Sequence, residues 1–390
     1  MVIARTGANG QVDLLGSGYA PSAGFLRGVV VDLEEASDSI RRAVQEAEAK
    51  ADVSADWATV GISGDHIQSF NCHGAITIEG KNNEVTARDV AQVVAAAQSI
   101  PLPPSREIIH VRPQEFYLDN SGGIHNPVGL TGSRLDADVH VVTADNALTQ
   151  NVINAVNCAQ IRVRKVILQH LASAEAVLTG DEKELGSVVV DIGAGTSDIA
   201  LVVRNSVRFT SMLPVAGGHF TRDLAVGLRT PIEEAERIKK ECGSVRTDGI
   251  ADDELIDVPS IGSRSTRPML RRFVCEILHH RAMELLELVR DQIERAGERD
   301  QVLAGAVITG GGSMLAGLLD IAEQVLEMPV RQGLPLGAGG LTEDLLHPTY
   351  ATAVGLAMLS AQESERGPAR GGKTSSAPWL INRILSWVGS

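Results

Sequence analysis

The stretch VVVDIGAGTSDIAL, residues 188–201, decides how the rest of the chain is read. Val188, Val189, Val190 and Ile192 form a short run of β-formers, the pattern of a strand buried on both faces. Gly193 and Gly195 bracket a sharp turn around Ala194. Lacking Cβ atoms, they let backbone N–H groups approach an anion closely. Thr196 and Ser197 add hydroxyl donors. Asp191, at the strand end, would sit beside that anion, which is unfavourable unless a divalent cation lies between them. Asp191 is therefore expected to direct Mg2+, through a bound water. Strand, Asp-x-Gly-x-Gly-Thr turn and returning strand make a phosphate hairpin. The plainer alternative is a β-hairpin with a glycine-rich turn.

A second stretch, GAVITGGGSMLAGL at residues 305–318, runs from an apolar strand through Gly310, Gly311 and Gly312 into an apolar helix pattern. Ser313 is expected to cap that helix. Helix N-termini favour phosphates and polar ligand edges. Two glycine turns that each end a strand can clamp one nucleotide from two sides. Their order resembles that of the actin and heat-shock-chaperone ATPase superfamily, which implies a second phosphate loop at residues 191–196 and an adenosine loop at 310–313.

A chain of 390 residues is too long for one small core and suggests at least two lobes, which 44% apolar residues can fill. The net charge of −14 and pI near 5.2 argue against nucleic acid as the main partner. Aromatics at 3% weaken any base-stacking platform. Cys72, Cys158, Cys242 and Cys275 lie far apart and form no CxxC pair, which fits reduced thiols and not a zinc site or disulfide frame. No run of apolar residues is long enough to span a bilayer.

Taken in order, VIARTGANGQVDLLGSG at residues 2–18 reads as two strands around a glycine turn. A duplicated ATPase of this type carries an earlier Asp-x-Gly hairpin ahead of these strands. The natural protein is therefore expected to be longer by about 15–20 residues. Residues 37–47 have helical spacing, and WATVGIS at 57–63 is a strand. Residues 82–163 read as an inserted α+β module in which Thr86 and Asp89 make a capping box before an Ala/Val helix. VILQHLASAEAVL at 166–178 reads as an apolar helix whose small residues, Ala172 to Ala174, let backbones cross closely. Gln169 near its start either faces the nucleotide or caps the helix. Gly217 and Gly218 precede another helix. In PIEEAERIKKECG, Glu236 and Lys239 share a face and would flank a ribose or adenine, or form an ordinary solvated ion pair.

Residues 361–377, AQESERGPARGGKTSSA, hold no apolar residue larger than Ala and read as a flexible tether. PWLINRILSWVGS follows. Trp379, Leu380, Ile384, Trp387 and Val388 make a broad apolar face that Ile381 and Leu385 widen, and Arg383 lies on the narrow polar side. Such a helix on a tether belongs at a membrane interface. The alternative is a helix that docks on the protein's own body or in a partner groove.

These segments carry a family. GFLRGVVVDLEEA, GISGDHIQSFNCHGAI, SIPLPPSREIIHVRPQEFYLD, HNPVGLTGSRLDADVHVVT, the 171–201 segment and AVITGGGSMLAGL, together with the terminal helix, resemble the FtsA family of bacterial actin-like cell-division proteins over nearly the whole chain. The resemblance implies a two-lobed α/β actin-like ATPase fold with a small inserted α+β subdomain and a C-terminal amphipathic helix. Residues 1–81 would form the first lobe, 82–163 the insert, 164–187 a connecting helix and 188–360 the second lobe, with a small outer subdomain at 221–294. A linker at 361–377 and a membrane helix at 378–390 would follow.

The resemblance also implies function. A member of this family binds ATP with Mg2+, assembles into filaments, holds FtsZ filaments on the inner membrane and recruits later division proteins. The FtsZ C-terminal peptide would bind the small outer subdomain. The nucleotide residues would be Asp191, Gly193, Ala194, Gly195, Thr196, Gly217, Gly218, Glu236, Lys239, Gly310, Gly311, Gly312, Ser313 and Gln169. Such a protein is a structural adaptor with slow hydrolysis at most. Alternatives on the same fold are an ATPase or kinase, or a pilus-assembly adaptor, which would need no Trp-rich tail. Without a first phosphate loop, lost contacts of about 1–3 kcal/mol each would weaken ATP binding by several decades.

Overall fold

The computed structural model describes residues 1–7, 11–79, 81–262 and 265–365. The first lobe opens with strands β1 (Val2–Thr6) and β2 (Val12–Ser17), an antiparallel pair, as expected for residues 2–18. A two-stranded ribbon follows, β3 (Phe25–Leu26) and β4 (Val29–Val30). Helix α1 (Leu33–Ala51) starts where the Asp32 side chain accepts from the Glu35 N–H, and β5 (Trp57–Ile62) comes next.

The inserted unit contains β6 (Gln68–Thr77), α2 (Ala87–Ala97), β7 (Arg106–Leu118), β8 (Ser121–Ile124) and β9 (Arg134–Asp145). Its antiparallel sheet runs β6-β9-β7-β8. The Thr86–Asp89 capping box opens α2, whose Val90, Val93 and Val94 pack on Phe116, Leu135 and Val139. The sheet therefore begins at Gln68, ahead of the expected start at 82. The segment returns to the first lobe before 163: helix α3 (Asn146–Cys158) packs on α1. The boundary was misplaced because β6 pairs with β9, a partner far along the chain.

Strand β10 (Arg162–Leu168) then pairs in parallel with β5, and α4 (Gln169–Val177) and α5 (Gly180–Leu185) follow. The helix expected from Val166 thus starts only at Gln169. Val166, Ile167 and Leu168 form a strand because β5 is there to receive them, a pairing that local periodicity does not register.

The second lobe is built on β11 (Ser187–Ile192), β12 (Ser197–Val203) and β13 (Ser206–Leu213). After them come α6 (Gly217–Gly227), α7 (Ile232–Cys242), β14 (Leu255–Pro259), β15 (Thr266–Leu270) and α8 (Arg271–Ala296). β16 (Gly305–Thr309), α9 (Leu318–Leu326), β17 (Val330–Gln332) and α10 (Ala351–Glu365) complete it. The main sheet runs β13-β12-β11-β16-β17. β11 is its middle strand and, as its residues predict, is buried on both faces. Val188, Val190 and Ile192 enter the core beneath α6, α8 and α9, while Val189 faces Ala174, Val177 and Val354 on α4 and α10. That alternation is the two-residue period of a strand covered on each side.

α10 crosses α4 closely enough that a Cβ on Gly355 would lie 1.8 Å from the Ala172 carbonyl oxygen. The small residues of α4 permit this approach, as their sequence suggests. α10 runs on to Glu365, so the first residues of the expected linker belong to a helix. Residues 366–377 and the amphipathic segment at 378–390, with all its proposed membrane residues, lie outside the described residues.

Candidate functional site: the cleft at the glycine turns

β11 and β12 are joined by the turn 193–196, closed by a Gly193 N–H to Thr196 carbonyl bond of 2.9 Å. The first residues of α6 lean onto it. The Gly217 N–H donates to the Gly193 carbonyl at 3.0 Å, and the Gly218 N–H to the Ala194 carbonyl at 2.7 Å. A Cβ on either glycine would come within 3.0 and 2.9 Å of those oxygens, so both positions need the close approach that glycine allows. Among the described residues no hydrogen bond takes up the amides of Ala194, Gly195 and Thr196, or the Thr196 hydroxyl. Three free N–H groups at a glycine turn, next to the start of α6, fit a phosphate group.

Asp191 lies at the mouth of β11. Its Oδ2 accepts from Ser173 Oγ on α4 at 2.5 Å and from Thr352 Oγ1 on α10 at 2.8 Å. Its Oδ1 faces Gly310, where a Cβ would lie 2.3 Å away. Burial pushes the Asp191 carboxyl up, the two hydroxyls pull it down, and the charge of Asp198 adds to the rise. Asp198 stands directly across from it in the β11–β12 register. The Asp198 Oδ1 accepts from Ser63 Oγ at 2.6 Å, which links β12 to the end of β5 in the first lobe. Its other oxygen lies 3.6 Å from His170 Nδ1, which has no hydrogen-bond partner. Burial lifts Asp198 to about 7 against the Ser63 bond and drops His170 to about 4. Two carboxylates, a neutral imidazole and three hydroxyls thus meet where the lobes join. Among the described residues no group of three or more His, Cys, Asp or Glu side chains could hold a metal ion.

The Asp198 environment sets a sign for pH dependence. The carboxyl is raised from about 4 in the unfolded chain to about 7 in the fold. The native state therefore binds more protons over that window, and stability is lost as pH rises through it. Asp198→Asn keeps an acceptor for Ser63 and offers His170 Nδ1 a donor. The variant should melt several degrees above wild type at pH 8 and close to it at pH 4.5. Equal melting temperatures at pH 8 would show that Asp198 is an ordinary carboxylate.

On α7, Lys239 Nζ reaches Glu236 at 2.6 Å, Thr221 Oγ1 at 2.9 Å and the Gly217 carbonyl at 3.1 Å. Burial works to raise Glu236, but Lys239, Thr221 and Lys240 outweigh it and hold the carboxyl at about 2. The pair is tied into the first turn of α6, and through it into the glycine turn at 193–196. Gln169 donates to the Gly61 carbonyl at 3.3 Å, bridging the α4 start to β5.

β16 brings Thr309 level with Asp191, so the second glycine turn begins beside the first. Gly310 has φ +80, and its N–H donates to the Pro348 carbonyl at 3.3 Å. Ser313 does not cap a long helix as expected. Its Oγ donates to the Gly310 carbonyl at 2.7 Å within a short 3-10 turn, Gly311–Met314, and α9 starts later, at Leu318. The left-handed Gly310 forces a tight closure that uses up the serine hydroxyl. A cavity of about 340 Å³ adjoins this turn, lined by Ser313, Met314, Leu315 and Gln332.

Sequence reasoning missed Asp198, Ser63, Ser173 and Thr352. Asp198 was within reach: once the turn is set at 193–196, hairpin register places it opposite Asp191. The three hydroxyls carry no such signal, because each is brought in by a distant element.

The comparisons with known proteins agree with this architecture. The family model described as "Cell division protein FtsA" matches residues 188–355, and "SHS2 domain inserted in FTSA" matches residues 64–143. The chain is similar to "Cell division protein FtsA" of Pseudomonas aeruginosa, 39% identical over 394 residues covering 99% of this chain and 94% of that protein. It is 38% identical to the Escherichia coli K12 protein of the same name, over 97% of this chain and 92% of that protein. Among solved structures, a chain of the "PilM-PilN type IV pilus biogenesis complex" superposes with TM-score 0.64 at 16% identity, covering 92% of this chain and 94% of that one. That likeness concerns the actin-like fold alone. The match at 64–143 places the insert where the β6–β9 sheet lies, and not at 82–163.

Proposed function

Because the chain belongs to the FtsA family of cell division proteins, we propose that it is an ATP-binding adaptor of the division machinery. It assembles into filaments, tethers FtsZ filaments to the cytoplasmic face of the inner membrane and recruits later division proteins. The observation that carries the nucleotide reading is the turn at 193–196, with three free amides and a free Thr196 hydroxyl beside α6. Those amides, with Gly217 and Gly218 behind them, hold phosphates. Gly310, Gly311, Gly312 and Ser313 border the adenosine end, and the Glu236–Lys239 pair braces α6 and α7 around it. Asp191 Oδ1, which has no hydrogen bond among the described residues, orients Mg2+ through water. Bound ATP supplies a triphosphate charge between the lobes, so nucleotide state acts as an assembly switch. Turnover is slow, because Asp198 and His170 are engaged or buried and neither is free as a strong base.

The FtsZ C-terminal peptide docks on the small outer subdomain. Support comes from its exposed apolar side chains, among them Val226, Ile232, Leu255 and Ile261. The membrane is reached through Trp379, Leu380, Ile381, Ile384, Leu385, Trp387 and Val388, with Arg383 at the headgroups. Among the described residues no helix is long and apolar enough to cross a membrane.

A fluorescent-ATP titration with magnesium tests the nucleotide reading, and saturable binding is the expected result. No binding at millimolar ATP would overturn it. Vesicle sedimentation tests the tether. The wild-type chain should pellet with vesicles containing anionic lipid, and Trp379→Glu with Trp387→Glu should leave it in the supernatant. Undiminished pelleting of the double variant would refute the tail as the anchor.

A further inference from the structure

The ribbon β3–β4 turns through Arg27 and Gly28, both with positive φ, +50 and +81. This is the backbone of a tight two-residue hairpin, and Arg is a costly residue at such a position. The turn is wedged between the lobes. A Cβ on Gly28 would lie 2.2 Å from the Ser63 carbonyl oxygen, and one on Gly64 would lie 3.3 Å from the Arg27 carbonyl oxygen. On the other side, a Cβ on Gly195 would meet the Arg27 Cα at 3.3 Å and its Cγ at 4.0 Å. The stem of Arg27 therefore leaves the backbone directly over the phosphate turn.

Its charge is felt at the start of α6. His219, in the first turn of that helix, is pushed down by burial and by the charges of Arg281, Arg27 and Arg222. Arg281 is tied to Asp223 and Glu284. Arg27 and Arg222 are exposed and make no hydrogen bond or ion pair among the described residues. A free guanidinium whose stem rises beside free backbone amides, with the charge of Arg222 also felt at His219, makes a locally positive region that an anion would relieve.

We propose that Arg27 is a phosphate-binding residue supplied by the first lobe, taking the outer phosphates of a nucleotide seated on the 193–196 turn. It would draw the lobes together on ATP. The inference rests on the nucleotide reading of the cleft. A planar guanidinium suits phosphate oxygens, which it meets in pairs.

The test is titration of the full chain with mant-ATP and mant-AMP in the presence of magnesium. Wild type, Arg27→Asn and Arg27→Lys would be compared. Asn tolerates the positive φ, so the turn keeps its shape. Arg27→Asn should bind mant-ATP at least about tenfold more weakly and mant-AMP unchanged, while Arg27→Lys stays within about threefold of wild type. Wild-type affinity for mant-ATP in Arg27→Asn would overturn the assignment. Equal losses for both nucleotides would also overturn it, because the turn's shape and not its charge would then matter. If wild type bound neither nucleotide, the reading of the cleft itself would fail, and Arg27 with it.

Discussion

Replacing Gly355 by valine is expected to leave the chain unfolded or aggregated at 37 °C. Gly355 lies where α10 crosses α4, and even a lone Cβ would stand 1.8 Å from the Ala172 oxygen and 2.4 Å from its carbonyl carbon. These are backbone atoms of a packed helix, so no rotamer change removes the overlap. Relief requires α4 and α10 to separate, which opens the core shared by Ala174, Val177 and Val354. Overpacking alone costs about 1–3 kcal/mol, and a branched side chain against fixed backbone exceeds that range. The damage extends to the site, since Ser173 on α4 and Thr352 on α10 both hold Asp191. Urea unfolding followed by circular dichroism gives the readout. Gly355→Ala should already lower the midpoint clearly. A Gly355→Val protein as stable as wild type would mean that the helices do not cross here.

Gly310→Ala should strike stability and nucleotide binding together. Gly310 has φ +80, and a Cβ would lie 2.3 Å from Asp191 Oδ1 and 2.6 Å from the Ile192 oxygen. The left-handed backbone costs about 1–2 kcal/mol for a residue with a Cβ, and the clash adds to that. Asp191 must turn away or β11 must move. We therefore expect a loss of about 2–4 kcal/mol in stability. ATP affinity should fall at least about tenfold. Gly297→Ala is the control: it has φ +70 and nothing within 4 Å of a Cβ. It should cost only the left-handed backbone's share, about 1–2 kcal/mol, and leave ATP binding unchanged. If Gly310→Ala bound ATP like wild type, Asp191 would not belong to the phosphate site.

Much of the fold was legible where short-range chemistry decides it. The valine run of β11, the turn at Gly193 and Gly195, the Thr86–Asp89 capping box and the glycines at 310–312 each carry their own backbone instructions. Readings failed where a distant partner chose between equally good local states. Val166, Ile167 and Leu168 suit a helix or a strand, and β5 decides for the strand. The insert begins at β6 and not at residue 82, because β9 pairs with it. Ser313 has the chemistry of a helix cap, but the left-handed Gly310 draws it into a 3-10 turn.

The sequence by itself determined that two glycine turns end two strands, that Asp191 stands at one of them, and which family the chain resembles. Those features depend on residues within a few positions of one another, where sterics and backbone hydrogen bonding act without help. Only the tertiary structure decided what surrounds Asp191. Ser173 and Thr352 arrive on two helices whose crossing depends on the missing side chain of Gly355. Ser63 reaches Asp198 from the other lobe, and Arg27 is set over Gly195 by a ribbon clamped against Ser63. Such contacts are selected by the packing of whole elements, where buried area and excluded volume outweigh any local preference.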